Sequence, residues 1–276
     1  AGLNTTQTAG LALANDLAPE HVRPRVVALL FTTLLIGMVA SAIVFSQLLQ
    51  TFDEIRLIKI IQGVALTIMV LNGIALWKQE PRRPGGTIDE AVAPSFSETW
   101  KTLAAIPGFK RLLTVVGLGT AAFNMQDILL EPFGGQVFGL PVGETTMLMA
   151  ALAGGMLIGF FIAERMLNRT VMAMRVAGLG LIIGLLAFAG VIAAPFLSSL
   201  GLFRISSLTV GIGAGLFSVG TLTAAMGCGT PKMSGILLGS WGAVQATVAG
   251  LSIAFSGAAR DIIAALARAG RFGETL

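Results

Sequence analysis

Two carboxylates and two carboxamides lie close together in an otherwise apolar run. They are Asn124, Gln126, Asp127 and Glu131, in VVGLGTAAFNMQDILLEPFGG (115–135). If the helix continues through them, Asp127 and Glu131 are four apart and share a face, with Asn124 one turn before Asp127. No Lys or Arg follows within this stretch to neutralise them. A charged side chain at the centre of a bilayer costs about 3 kcal/mol even on lenient insertion scales, so such groups face a cavity or a partner. The chemistry this suggests is a polar-ligand or proton site near the outer end of a spanning helix. The competing expectation is that Pro132, Gly134 and Gly135 end the helix by about residue 126, which leaves both acids in the outer interface.

Other polar residues are candidates of the same kind. Asn4, Thr5, Thr6, Gln7 and Thr8 would line an inward surface if 2–15 is helical, although hydroxyls also bond their own backbone. Gln245 and Trp241 share a face of the last apolar run and either line the same cavity or pack. Asn72 reads as an interhelical hydrogen bond, His21 as a solvated loop residue and Cys228 as a packing residue. With one His and one Cys in the chain, no nucleophile–base set or zinc site can be assembled. No phosphate-cradling glycine loop stands in a strand–helix context. The residues therefore point to a protein that is not an enzyme and has no resident metal.

The elements that must position these residues are long and greasy. Mean hydropathy is +0.85 and 12% of residues are charged, about half the share of a soluble domain. Spanning helices are expected at 26–49, 57–77, 112–131, 145–163, 176–198, 207–228 and 235–257, and 2–15 reads as part of another. No Lys or Arg falls within the seven longer runs beyond the helix ends. The net charge of +4 is spread over loops and forms no stripe that would suit nucleic acid. Alternate loops carry twelve Lys and Arg on one side and six on the other, and the richer side is assigned to the cytoplasm. The organisation expected is 1–77 as the end of one helical half (helices four to six) and 78–111 as a cytoplasmic linker. Residues 112–276 would then be the second half (helices seven to eleven). In the linker, Ser95 and Glu98 form a capping box. The short helix it opens carries Phe96, Trp100 and Leu103 on one face, either lying on the leaflet or packed on the helix ends.

Two further patterns concern packing and symmetry. Gly155/Gly159, Gly180/Gly184, Gly211/Gly215 and Gly235/Gly239 have the four-residue spacing that lets helix backbones approach, here read as bundle packing. GLNTTQTAGLALANDLA (2–18) is similar to GLFSVGTLTAAMGCGTP (215–231), an offset of 213 residues. That offset fits two pseudo-symmetric six-helix halves, with helices four to eleven in this chain.

Several blocks carry a resemblance. NTTQTAGLALANDLAPEHVRPRVVALL (4–30), GLGTAAFNMQDILLEPFGGQVFGLPVGETT (117–146), GLFSVGTLTAAMG (215–227) and GSWGAVQATVAGLSIAFSGAARD (239–261) are similar to the PucC/LhaA family. These are bacteriochlorophyll-delivery members of the major facilitator superfamily, and QDILLEPFGG (126–135) is the most specific piece. GFFIAERMLNR (159–169) partly resembles the superfamily loop motif Gly-x-x-x-Asp-Arg-x-Gly-Arg, with Glu164 in the Asp position and Arg165 and Arg169 following. Gly159 is one residue out of register and Leu167 replaces the second glycine, which puts a gating role for this loop in doubt.

The resemblance implies an all-α, polytopic, major-facilitator-like bundle in the bacterial inner (intracytoplasmic photosynthetic) membrane. It implies an assembly factor that binds or delivers bacteriochlorophyll as cargo, or handles antenna polypeptides. Partners would be antenna polypeptides, the reaction-centre core and lipid, without nucleic acid. A chlorophyll magnesium takes hard oxygen or nitrogen ligands, for which Asn124, Gln126, Asp127, Glu131, a backbone carbonyl or water are candidates. Two alternatives stand beside this one: a proton-coupled secondary transporter, and a fixed structural subunit of a pigment–protein complex.

Overall fold

The computed structural model describes residues 23–49, 53–77, 96–228 and 234–268, and every regular element among them is helical. The helices are α1 (Arg23–Leu48), α2 (Glu54–Leu76), α3 (Phe96–Ala104), α4 (Phe109–Asn124) and α5 (Leu130–Phe138), followed by α6 (Val142–Asn168), α7 (Ala173–Phe196), α8 (Leu200–Met226) and α9 (Ser234–Arg268). Five of them (α2, α6, α7, α8 and α9) are long and apolar enough to cross a bilayer. The chain is a multi-pass helical membrane protein. Leu185, Leu186, Ile192, Phe196, Leu251 and Phe255 are all well exposed on its flanks, as expected where lipid tails replace water. The candidate residues 1–22, including Asn4, Gln7 and His21, lie outside the described residues, as does Ser95.

α8 is the centre of the bundle. It packs along α7 on one side and α6 on the other. Its small residues make this possible. A Cβ on Gly155 of α6 would run into the Leu208 carbonyl of α8, and one on Gly211 of α8 into the Leu152 carbonyl of α6. Gly180 of α7 and Gly213 of α8 oppose each other in the same way. Three of the four glycine pairs therefore seat helix on helix within the bundle. Gly239 differs, with open space beside it.

α1 packs on α6, where Ser46 Oγ donates to the Gly143 carbonyl at 2.7 Å. α4 packs on α9. α3 rests on the ends of these two through Leu103, which is buried with Phe109, Leu113 and Leu237, while Trp100 faces outward. α2 is largely apolar beyond Lys59 and buries none of its described side chains. Such a helix is stable in hydrocarbon because its backbone bonds are all internal.

Several expectations need correction. The 112–131 segment is not one helix: α4 ends at Asn124, a turn covers 125–129, and α5 starts at Leu130. Asp127 and Glu131 therefore do not share a helix face. Pro132, Gly134 and Gly135 do not break the helix at their own positions, because α5 runs through them. Pro132 sits in the first turn, where the missing N–H has no intrahelical partner to lose. α5 stops instead at Gly139, in the left-handed region at φ 66°. Arg204 lies within α8, just past its first turn, and not in a loop, since Ser199 caps the helix by accepting from the Leu202 N–H. Asn72 bonds within its own helix, Nδ2 donating to the Ile68 carbonyl at 2.8 Å.

Candidate functional site: a cavity with one polar end

The turn between α4 and α5 is where the chemistry collects. Two side chains bond main-chain carbonyls here, one within α4 and one reaching across to the carbonyl that the helix break leaves free. Asn124 Nδ2 donates to the Thr120 carbonyl at 2.8 Å. Ser256 Oγ, from α9, donates to the Met125 carbonyl at 2.6 Å. Gln126 Nε2 donates to Asp127 Oδ1 at 2.8 Å. A carboxylate can only accept, so this bond fixes which way the Gln126 amide points. Among the described residues Gln126 Oε1 is then buried without a partner, and so is Thr120 Oγ1. Buried oxygens in that state are commonly satisfied by an ordered water or a ligand.

This turn forms one wall of a partly open cavity of about 910 Å³ lined by α1, α4, α6, α8 and α9. Asn124, Gln126, Asp127 and Gln245 all line it, together with Trp241 and, near the opposite end of α6, Glu164. The remaining lining is largely aromatic and aliphatic, with Phe123, Phe160, Phe217, Met149 and Met156 prominent. Phe123 packs at 5.7 Å from Phe217. Trp241 is fixed by its Nε1, which donates to Thr221 Oγ1 at 3.2 Å, and that hydroxyl donates to the Phe217 carbonyl at 2.9 Å. The shape is a greasy chamber with Thr120, Asn124, Gln126 and Asp127 gathered at the α4–α5 turn and Glu164 and Asn168 toward the other end. Its volume is at the upper end of the usual range for small-molecule sites.

Glu131 is outside this wall. It stands in the first turn of α5, half-buried. Arg165 and Arg169 line a second, smaller hollow with Glu164. Sequence reasoning passed over Thr120, the phenylalanines and the methionines. Thr120, like Thr114, is a hydroxyl in a mostly apolar helix, and Phe and Met at helical spacing look the same whether they fill a core or line a space.

A multi-pass helical bundle with an amphipathic central chamber is the class these features define. The family follows from comparison. The model of the family described as "PUCC protein" matches residues 1–274, and the chain belongs to that family. It is 50% identical over 274 residues to a Rhodobacter capsulatus protein of the puhA-bchM intergenic region, covering 99% of this chain and 57% of that one. It is 48% identical over 266 residues to Protein PucC of Rhodovulum sulfidophilum, covering 95% and 59%. A more distant relative, 28% identical over 279 residues, is the Bacteriochlorophyll synthase 44.5 kDa chain of Rhodobacter capsulatus, covering 95% and 62%. The chain thus spans about three fifths of the length of the curated relatives it matches. No solved structure matches it.

Proposed function

We propose that this chain is part of a non-enzymatic factor for light-harvesting antenna assembly, and that its chamber holds bacteriochlorophyll as cargo in the photosynthetic membrane. Membership of the PUCC family supports a place in light-harvesting complex biosynthesis. The printed name of one relative ties that protein to bacteriochlorophyll. The observation that carries the reading is the chamber itself, with its aromatic and methionine walls and an end where two buried oxygens have no partner among the described residues. A flat aromatic macrocycle with an isoprenoid tail suits such walls, and methionine adapts its shape to irregular ligands. The magnesium of the pigment is a hard cation that takes oxygen ligands, and Gln126, Asp127 and Asn124 supply oxygens at the polar end. The residues present therefore fit the cargo. Antenna polypeptides and the reaction-centre core are the receiving partners in this reading, and the fold is a half-and-half major-facilitator bundle.

The test is an absorption spectrum and subunit inventory of the gently solubilised full-length protein. A near-infrared band and attached antenna subunits are expected. Asp127→Ala should lower pigment per protein severalfold, whereas Glu131→Ala, outside the chamber wall, should leave it unchanged. Pigment-free protein that takes up a solute under a pH gradient in vesicles would replace this reading with secondary transport. A fixed stoichiometry in mature complexes would replace it with a structural subunit.

A further inference from the structure

We propose that the arginine-bearing end of α6 is a binding site for the headgroup of an anionic glycerophospholipid carrying free hydroxyls. The site is a hollow of about 330 Å³ lined by Phe161, Glu164, Arg165, Asn168 and Arg169. Arg165 and Arg169 are one helical turn apart, so their guanidinium forks lie on neighbouring parts of one surface. Among the described residues neither makes an ion pair, although Arg204 at the far end of the same helix packing pairs with Glu144 at 2.6 Å. Arg175, in the first turn of α7, is exposed and adds a third positive charge at this end, again without an ion pair. Planar guanidinium groups recognise phosphate oxygens two at a time, which a lysine cluster would not do.

Three observations select a lipid over a free anion. The hollow is at the end of a 27-residue spanning helix, where headgroups are found. The count of basic residues in the loops places this end in the cytoplasmic leaflet, whose surface is negative. Phe161 is 66% exposed, one turn deeper than Arg165, and offers an apolar edge for an acyl chain beside the phosphate site. Glu164 would repel a bare anion. Together with Asn168 it supplies acceptors instead, which suits a headgroup whose hydroxyls can donate. Phe161, Glu164 and Asn168 also line the large chamber, so the lipid would sit at its rim.

The experiment uses the full-length protein in phosphatidylcholine nanodiscs with and without an equal mixture of phosphatidylglycerol and phosphatidic acid, followed by mild delipidation and mass spectrometry of retained lipid. The wild type is expected to retain phosphatidylglycerol selectively. Losing one surface arginine corresponds to about fivefold in anionic-lipid affinity, so R165Q/R169Q should lose about 25-fold. R165K/R169K, which keeps charge but not the fork, should fall between. E164Q should reduce the preference for phosphatidylglycerol over phosphatidic acid. Equal retention of both lipids by the wild type overturns the proposal, whatever the variants do. So does a double variant that melts like the parent in phosphatidylcholine and still selects phosphatidylglycerol. Release of the lipid by millimolar inorganic phosphate would make this a free-anion site and also overturns it.

Discussion

The two walls of the chamber are built differently. Between α6, α7 and α8 the helices touch through their main chains, glycine against carbonyl, with no room for a Cβ. Around α1, α4 and α9 the contacts run through long side chains and isolated hydroxyl-to-carbonyl bonds. On the α4–α9 side, a Cβ on Gly117 would meet Val244 and Val248 at an ordinary 3.7 Å. In hydrocarbon there is no gain from burying apolar surface away from water. Helix association depends on close packing and interhelical hydrogen bonds. The first wall uses the close packing to the full and forms a rigid slab. The second wall leaves a space of about 910 Å³ and can rearrange around an occupant at low cost. α6 and α8 of the first wall also line that space, through Met156, Phe160 and Phe217, but their main chains have no room to shift.

Breaking the slab should produce the largest effect. Gly155→Ala puts a methyl group against the Leu208 carbonyl, and backbone on both sides must move. The expected cost is about 3 kcal/mol, at the top of the overpacking range. Gly154, its neighbour, has open space at the same position. Gly154→Ala should stay within about 1 kcal/mol of the parent, since only helix propensity changes. Unfolding titrations in mixed micelles, run side by side, measure both. Equal destabilisation by the two would mean that the glycine contacts do not hold the slab together.

A substitution where the slab meets the chamber should have a smaller effect on stability and a distinct one on binding. Gly119 of α4 faces the ring of Phe217 on α8 so closely that an added Cβ cannot coexist with it. The obstacle here is a side chain with the chamber beside it, so the ring can swing into that space. Gly119→Ala should cost about 1–2 kcal/mol. If the chamber holds the proposed pigment, the signature would be a space too narrow for it: pigment per protein should fall while the folded yield is kept. A fold penalty with unchanged pigment would separate Phe217 from the site.

The contrast between the walls explains what could be read in the sequence. The slab was legible: glycine pairs at four-residue spacing in α6, α7 and α8 announced backbone contact, and all three pairs there make it. Gly239 bears the same spacing and touches nothing, because spacing says that a neighbour can come close and not that one is there. The spanning helices were legible from hydropathy, with boundaries off by a few residues. The 112–131 run is one exception, being two helices joined by the 125–129 turn, and α9 is another. It continues through Arg260 to Arg268, since a helix leaving the membrane keeps its own hydrogen bonds and needs no apolar side chains. The chamber was half legible. Asn124, Gln126, Asp127 and Gln245 stood out as polar residues in apolar runs, and all four line it. The break after Asn124 was weighed as an alternative and is what the structure has. It removes Glu131, which the four-residue spacing had tied to Asp127. Whether a helix stops one turn early depends on whether another element can satisfy the freed carbonyls. Here Ser256 does so for Met125, from 131 residues away. No local pattern contains that information.

The smallest effects belong to the hydroxyl bonds of the second wall, and they sharpen the comparison most. Ser256 Oγ holds the Met125 carbonyl, and Ser46 Oγ holds the Gly143 carbonyl. Both hydroxyls are buried, each bridging separate elements. Hydrogen bonds between membrane helices average about 0.6 kcal/mol, because the separated helices find other partners. Ser256→Ala and Ser46→Ala should each cost about that much, and the double variant should be additive within about 0.5 kcal/mol, the sites being on different helix pairs. If the second wall adjusts to its occupant, these bonds set how far α9 and α1 can shift. Each variant should then raise proteolytic or hydrogen-exchange susceptibility at the 125–129 turn or at the start of α6, with the slab unaffected. A cost above about 2 kcal/mol for either serine, or exchange spreading into α7 and α8, would show that the wall with the chamber is as rigid as the slab. The division between a fixed and a movable half would then be lost.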